Sequence, residues 1–263
     1  MDSTALITGA SSGIGWELTK LFAEDKHDLV LVARNRKKLD EFARDLTAAF
    51  GVSVRVIAKD LANPKAPAEI VQELTASGVA VDVLVNNAGF GVYGPFAKTD
   101  GAKELEVVQV NVSAPTQLTK LLLPSMLDRR SGRILNVAST AAFVPGPLMA
   151  VYYATKAYML SFSEALADEL AGSGVTVTAL CPGPTETNFQ KSAGLEGTHL
   201  FTGPLIMDAR AVALAGYRGM RAGKRIVVPG LGNKLLLQSL RVSPRRLITA
   251  IARWLQEQKS DKK

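Results

Sequence analysis

TALITGASSGIG, residues 4–15, joins a short apolar run to a glycine turn and then to the start of an amphipathic segment. Ala5–Thr8 is too short for a helix and too apolar for a loop, so it reads as a strand buried on both faces. Gly9, Gly13 and Gly15 carry no side chain that would keep another group away from the backbone. A helix is predicted to begin near Gly13, with its unpaired first-turn amides facing the same turn. A turn of this kind favours a phosphate group. The spacing is GxxxGxG, not GxGxxG, so the turn alone does not decide which ligand it serves.

Further along the chain, similar short runs recur between amphipathic segments. Leu29–Ala33, Ser53–Ala58, Val83–Asn86, Arg133–Ala138, Thr176–Leu180 and Arg225–Val228 read as strands. With Ala5–Thr8 they make seven strands alternating with helices, the pattern of a parallel sheet covered on both faces. The predicted fold is α/β, Rossmann-like and doubly wound. Ligands of such sheets sit beyond the carboxyl ends of the strands, where Gly9, Asn86, Ser139 and Pro182 fall.

The chain has 263 residues, 47% of them hydrophobic, enough for a large core, and no low-complexity stretch divides it. The expectation is one domain, with residues 1–231 as its main body and 232–263 as a helical extension. The single Cys181 cannot form an internal disulfide. No apolar run reaches the ~20 residues of a membrane span, and the first strand starts at once, so a cytoplasmic protein is expected. Metal chemistry has little support from one cysteine and two distant histidines, His27 and His199. Charge is uneven: from Arg218 onward twelve Lys and Arg face two acids, a balance of +10 within a net +7. No helix-turn-helix, zinc-finger or aromatic RNA-binding signature accompanies the basic tail, so no nucleic-acid partner is expected.

Tyr152 and Lys156 stand four residues apart in YYATK, so phenol and ammonium share one helix face, and Ser139 lies thirteen residues upstream at a strand end. A phenol ionises near ~10 in water, and proton exchange near neutrality requires a neighbour that lowers this. The three residues therefore suit carbonyl and alcohol chemistry. The glycine turn, NNAG at Asn86–Gly89, Asn111, Ser139, YxxxK at Tyr152 and Lys156, and the turn at Pro182 and Gly183 follow one another in order. In this series the chain resembles the short-chain dehydrogenase/reductase family, from residue 4 to about residue 187.

The resemblance implies hydride transfer between a nicotinamide cofactor and a small-molecule carbonyl or secondary alcohol. It assigns catalysis to Asn111, Ser139, Tyr152 and Lys156. Tyr152 would exchange the proton with its pKa depressed by Lys156, Ser139 would bind the substrate oxygen, Lys156 would also hold the nicotinamide ribose, and Asn111 would hold a water leading to Lys156. Cofactor contacts are assigned to Gly9, Ser11, Ser12, Gly13, Ile14, Gly15, Asp60, Leu61, Asn87, Ala88, Gly89, Tyr152, Lys156, Pro182, Gly183 and Thr187. After the second strand Ala33 stands where NAD-specific members tend to place an acid. Arg34 follows and could pair with a 2′-phosphate, with Lys38 assisting, so NADP(H) is expected. A homodimer or homotetramer is expected as well.

Two rival readings remain open at this level. Gly9–Gly13 also matches G-x-S-x-G, a nucleophile elbow with Ser11 as nucleophile and His27 or His199 as base. That reading leaves Gly15, Tyr152 and Lys156 without a role. A cofactor-binding sensor that has lost its chemistry is the other alternative, although Tyr152 and Lys156 are both present.

Phe90, Val92, Tyr93, Phe143, Val144, Leu148 and Met149 surround the predicted site and suit a hydrophobic ketone such as a steroid-like, acyl or aromatic one. Residues 183–207 lack a long helical pattern and read as a mobile apolar lid containing Phe189, Leu195, Leu200, Phe201, Leu205 and Ile206. Residues 232–258 read as two short amphipathic helices broken at Pro244. They could cover the pocket, build a dimer contact or touch a membrane surface.

Overall fold

The computed structural model of the chain describes residues 3–195, 197–201, 206–240 and 242–257. Seven parallel strands form one sheet: β1 Thr4–Thr8, β2 Asp28–Ala33, β3 Val54–Ala58, β4 Val83–Asn86, β5 Gly132–Val137, β6 Val175–Leu180 and β7 Ile226–Val227. Their order is β3-β2-β1-β4-β5-β6-β7, so the winding reverses between β1 and β4. That reversal opens a crevice at the carboxyl ends of the strands. Most strands are buried runs of Val, Leu and Ile, as a sheet covered on both faces requires. The largest departure from the sequence expectation is β7, reduced to Ile226–Val227 where Arg225–Val228 was expected.

Ten helices are described: α1 Gly13–Glu24, α2 Arg36–Phe50, α3 Ala66–Ala76, α4 Gly101–Val108, α5 Ala114–Asp128, α6 Ala150–Glu169, α7 Phe189–Ala193, α8 Ala209–Arg221, α9 Leu231–Leu240 and α10 Arg245–Gln256. Alternate strand residues choose the face. Ala5, Ile7, Leu29 and Leu31 pack against Phe22 of α1, Phe42 of α2 and Tyr217 of α8. Leu6, Val30, Val32 and Leu84 meet Ile70 of α3, Leu118 of α5 and Leu170 just after α6. The period of two along each strand thus sends successive side chains into opposite cores.

Between α4 and α5 the chain forms a π-helical turn, Gln109–Ser113. Proline at position 115 has no amide to give the Asn111 carbonyl, and the Ala114 amide instead reaches Gln109 five residues back. The region read as a lid contains α7, a 3₁₀ turn at His199–Phe201 and a bridge pairing Thr185 with Met207. Leu205 of that expectation lies outside the described residues. The two expected carboxyl-terminal helices are α9 and α10, with Pro244 as the residue before α10.

Candidate active site

The chain leaves β1 through Gly9, whose φ is +67°, and whose amide donates to Val32 at 2.8 Å. A Cβ here would lie 2.9 Å from the Ala88 Cα, so glycine is required by both backbone angle and close approach. Asn87 ties the turn down. Its Nδ2 donates to the Thr8 carbonyl at 2.9 Å and to the Gly9 carbonyl at 3.2 Å, while its own amide donates to the Thr8 hydroxyl at 3.0 Å. Ser12 precedes α1 without capping it through its side chain, and the first turn carries no acid. Those amides are open to an anion in the cleft, which is lined here by Ser11, Ser12, Gly13 and Ile14.

One cavity of about 490 Å³ runs from Arg34 past this turn to Tyr152. Arg34 is exposed and makes no hydrogen bond or ion pair with any described residue, whereas Lys59 on the same wall is neutralised by Glu69 at 2.5 Å. A phosphate-bearing nucleotide therefore fits this wall: open helix amides at one point, an unpaired guanidinium at another, and no acid at residue 33. Asp60 and Leu61 line it too, as do Asn87, Ala88, Gly89, Pro182, Gly183 and Thr187.

Three expected site residues do not reach the cleft wall. Gly15 packs against the Gly9 carbonyl, where a Cβ would collide. Lys38 lies over the Trp16 ring, 5.7 Å from its centroid, because the stacked Trp16–Phe42 pair offers it a π face. Asn111 is 2% exposed and its side chain is fully committed: it accepts from the Phe90 amide at 3.1 Å and donates to the Phe90 carbonyl and to Thr155 Oγ1, each at 3.0 Å. Thr155 in turn donates to the Tyr152 carbonyl at 2.7 Å. The Asn111 side chain thus fastens the NNAG loop to α6.

At the other end of the cleft, β5 delivers Ser139, whose Oγ donates to the Pro182 carbonyl at 3.3 Å and accepts from the Ala141 amide at 3.1 Å. Tyr152 and Lys156 stand on one face of α6, and both line the cavity with Ser139. Burial pushes the Tyr152 phenol well above its usual range, a nearby Tyr153 adds to this, and a hydrogen bond with Ser139 opposes it. Lys156 Nζ donates to the Val137 carbonyl at 2.8 Å and lies 5.7 Å from the centre of the Tyr152 ring. Burial brings the Lys156 ammonium itself down to about 8. In the free chain the phenol is held as a proton donor.

Tyr153 is buried against Gly146, which has no room for a Cβ, and it also lines the cavity. The apolar end is completed by Phe90, Met149, Phe189, Leu195 and Leu200, while Val92, Tyr93, Phe143, Val144 and Leu148 are not part of its wall. Sequence reasoning missed Asn233 of α9, which fills the space behind Gly183. It also missed the fixing of α10 to the site loop, through a 2.7 Å bond from the Tyr93 hydroxyl to the Gln256 carbonyl. Ser11 follows the carboxyl end of β1 while His27 precedes the amino end of β2, so the sheet separates them. His199 stacks on Trp254 instead. The elbow reading has no base beside its nucleophile.

A doubly wound sheet with a phosphate-favouring turn and a tyrosine, serine and lysine around one cavity places a nucleotide-fitting wall beside a proton-donating group. The short chain dehydrogenase family model matches residues 3–196, and the chain belongs to that family. Among curated relatives, ketoacyl reductase HetN of Nostoc sp. is 36% identical over 68% of this chain and 62% of its own length. A very-long-chain 3-oxoacyl-CoA reductase of Phaeosphaeria nodorum is 37% identical over 66% of this chain and 52% of its own. The match thus spans between half and two thirds of these relatives. Among solved structures, a short-chain dehydrogenase from Sphingobium yanoikuyae in complex with NADPH has TM-score 0.83 and 32% identity, covering 99% of this chain and 100% of that one. The bulky-bulky ketone specific alcohol dehydrogenase from Comamonas testosteroni has TM-score 0.77 and 32% identity, covering 93% and 95%.

Proposed function

We propose that this chain is an NADP(H)-dependent reductase of bulky hydrophobic ketones, or the corresponding alcohol dehydrogenase. The observation that carries the reading is the single cavity with unpaired Arg34 at one end and Ser139, Tyr152 and Lys156 at the other. The chemistry a nicotinamide cofactor would supply there is hydride transfer to or from carbon. Arg34 would pair with the 2′-phosphate, which the missing acid at position 33 leaves unopposed. The open amides of α1 would hold the pyrophosphate, and Lys156 would hold the ribose.

Tyr152 holds the proton at its hydroxyl and gives it to the substrate oxygen, with Ser139 donating a hydrogen bond to the same oxygen. For that donation Ser139 exchanges its 3.3 Å bond to the Pro182 carbonyl, a long and easily replaced contact. Phe90, Met149, Phe189, Leu195 and Leu200 exclude water and favour an apolar substituent on the ketone. The names of the ketoacyl, 3-oxoacyl and bulky-ketone enzymes support the same substrate class. Oxidation of NADPH by the purified chain against a ketone panel tests this. Turnover of aromatic, acyl or steroid-like ketones well above that of small polar sugars is expected, and the reverse order removes the substrate reading.

A further inference from the structure

Helix α10 has a buried stripe and an exposed apolar one. Ile248, Ala252 and Gln256, at successive fourth positions, are buried and face the protein. Leu247, Ile251 and Trp254, at i, i+4 and i+7, form a second stripe that is 52%, 49% and 55% exposed. Leu231 and Leu235 of α9, one turn apart, are 77% and 71% exposed, and Val242 between the helices is 87% exposed. Seven of the thirteen large exposed apolar side chains among the described residues lie in 231–254. A protein surface rarely concentrates them so heavily without a partner.

Charge identifies that partner. Between Asp208 and Glu257 the sequence has no acid at all. Lys234, Arg245, Arg246 and Arg253 form no ion pair with any described residue, and Arg246 and Arg253, seven apart, run along one edge of the exposed stripe. A second copy meeting this face about a two-fold axis would set cations against cations with no acid to pair them. An anionic bilayer surface supplies both needs, an apolar layer for Leu, Ile and Trp and negative headgroups for the arginines. No described helix is long and apolar enough to cross a membrane, so the contact lies in the interface.

We propose that α9 and α10 form a docking surface for an anionic lipid bilayer. Trp254 sits at the headgroup level, with one ring face already on His199 at 4.6 Å, and the arginines extend towards the phosphates. The inner stripe of the same helix is bonded to the site loop through Tyr93 and Gln256, so the docked surface lies next to the substrate end of the cleft. This inference does not depend on the reaction assigned above, and its test involves no turnover.

The test uses the full chain carrying Trp16→Phe, which leaves Trp254 as the single tryptophan of two. Vesicles are phosphatidylcholine alone, or phosphatidylcholine mixed with phosphatidylglycerol. Expected are co-sedimentation with the mixed vesicles, a blue shift of Trp254 emission, and loss of both in high salt. Arg246→Ser with Arg253→Ser weakens binding roughly tenfold or more. Leu247→Ser, Ile251→Ser and Trp254→Ser together abolish it, with thermal unfolding close to that of the parent because these side chains are exposed. Failure to sediment with mixed vesicles at low salt overturns the proposal. So does undiminished binding by the triple variant, and so does a lipid-free dimer in which Trp254 is already shielded from a soluble quencher.

Discussion

The Lys156 ammonium donates to the carbonyl oxygen of Val137 at 2.8 Å, tying α6 to the end of β5 from inside the cleft. The bond orients the chain's only cation near Tyr152 among the described cavity residues, but it also holds that cation in a site where burial disfavours charge.

The first prediction concerns that burial. Lys156 falls from 10.5 to about 8 in the folded chain. Between those values the unfolded chain binds a proton that the folded chain has released, so stability rises with pH across the window. The benefit is complete above 10.5 and is lost as pH falls through 8. Lys156→Met removes the titration. Urea unfolding of the two proteins across pH 8 to 10.5 is expected to show wild type losing on the order of 3 kcal/mol relative to the variant as pH falls. A constant difference contradicts the burial of a titrating ammonium.

A second prediction follows from the tyrosines. Burial raises Tyr93, Tyr152, Tyr153 and Tyr217 above the usual phenol range, the last two to about 12. Ultraviolet titration of the free chain near pH 10 is expected to show much less phenolate than five ordinary tyrosines would give. For the same group, Tyr152→Phe is expected to lower turnover by about 10²–10⁴-fold with NADPH binding unchanged, as removal of a general acid should. Stopped-flow turnover and fluorescence titration separate the two effects.

Much of this is legible in the sequence itself. The strands announce themselves because burial on both faces demands unbroken Val, Leu and Ile, and the spacing of Tyr152 and Lys156 needs only one helical turn to bring them together. The rest depends on distant partners. Asn111 is fixed by Phe90 and Thr155, 21 and 44 residues away, and no local pattern names them. Pro115, four residues beyond Asn111, was the available sign that the helix ladder changes there. The upward pull of burial on the Tyr152 phenol was not legible for a related reason: sequence spacing gives the neighbour but not the depth of burial or the direction in which Nζ points.

Cofactor choice gives a third prediction. Arg34 lines the cleft without an internal partner, so its removal should leave the fold intact. Arg34→Leu is expected to weaken NADPH binding by about 10–100-fold, the worth of a charge-assisted hydrogen-bond set of 1.5–3 kcal/mol. NADH binding should stay nearly level, since it lacks the 2′-phosphate. Equal losses for both cofactors, measured by fluorescence titration, would assign Arg34 a different task.

Asn111→Ala tests the fastener. The substitution deletes three hydrogen bonds at a residue 2% exposed and leaves the Phe90 amide, the Phe90 carbonyl and Thr155 Oγ1 short of a partner. Stranding buried groups costs more than the bonds' net worth, so a loss of about 2 to 4 kcal/mol is expected in denaturant unfolding. Thr155 still donates to the Tyr152 carbonyl, which confines the damage to the NNAG loop and the π-helical turn. Hydrogen exchange should therefore accelerate at Phe90 and its neighbours while the α6 amides around Tyr152 keep their protection. Uniform acceleration along α6 would show that Asn111 holds the helix and not the loop.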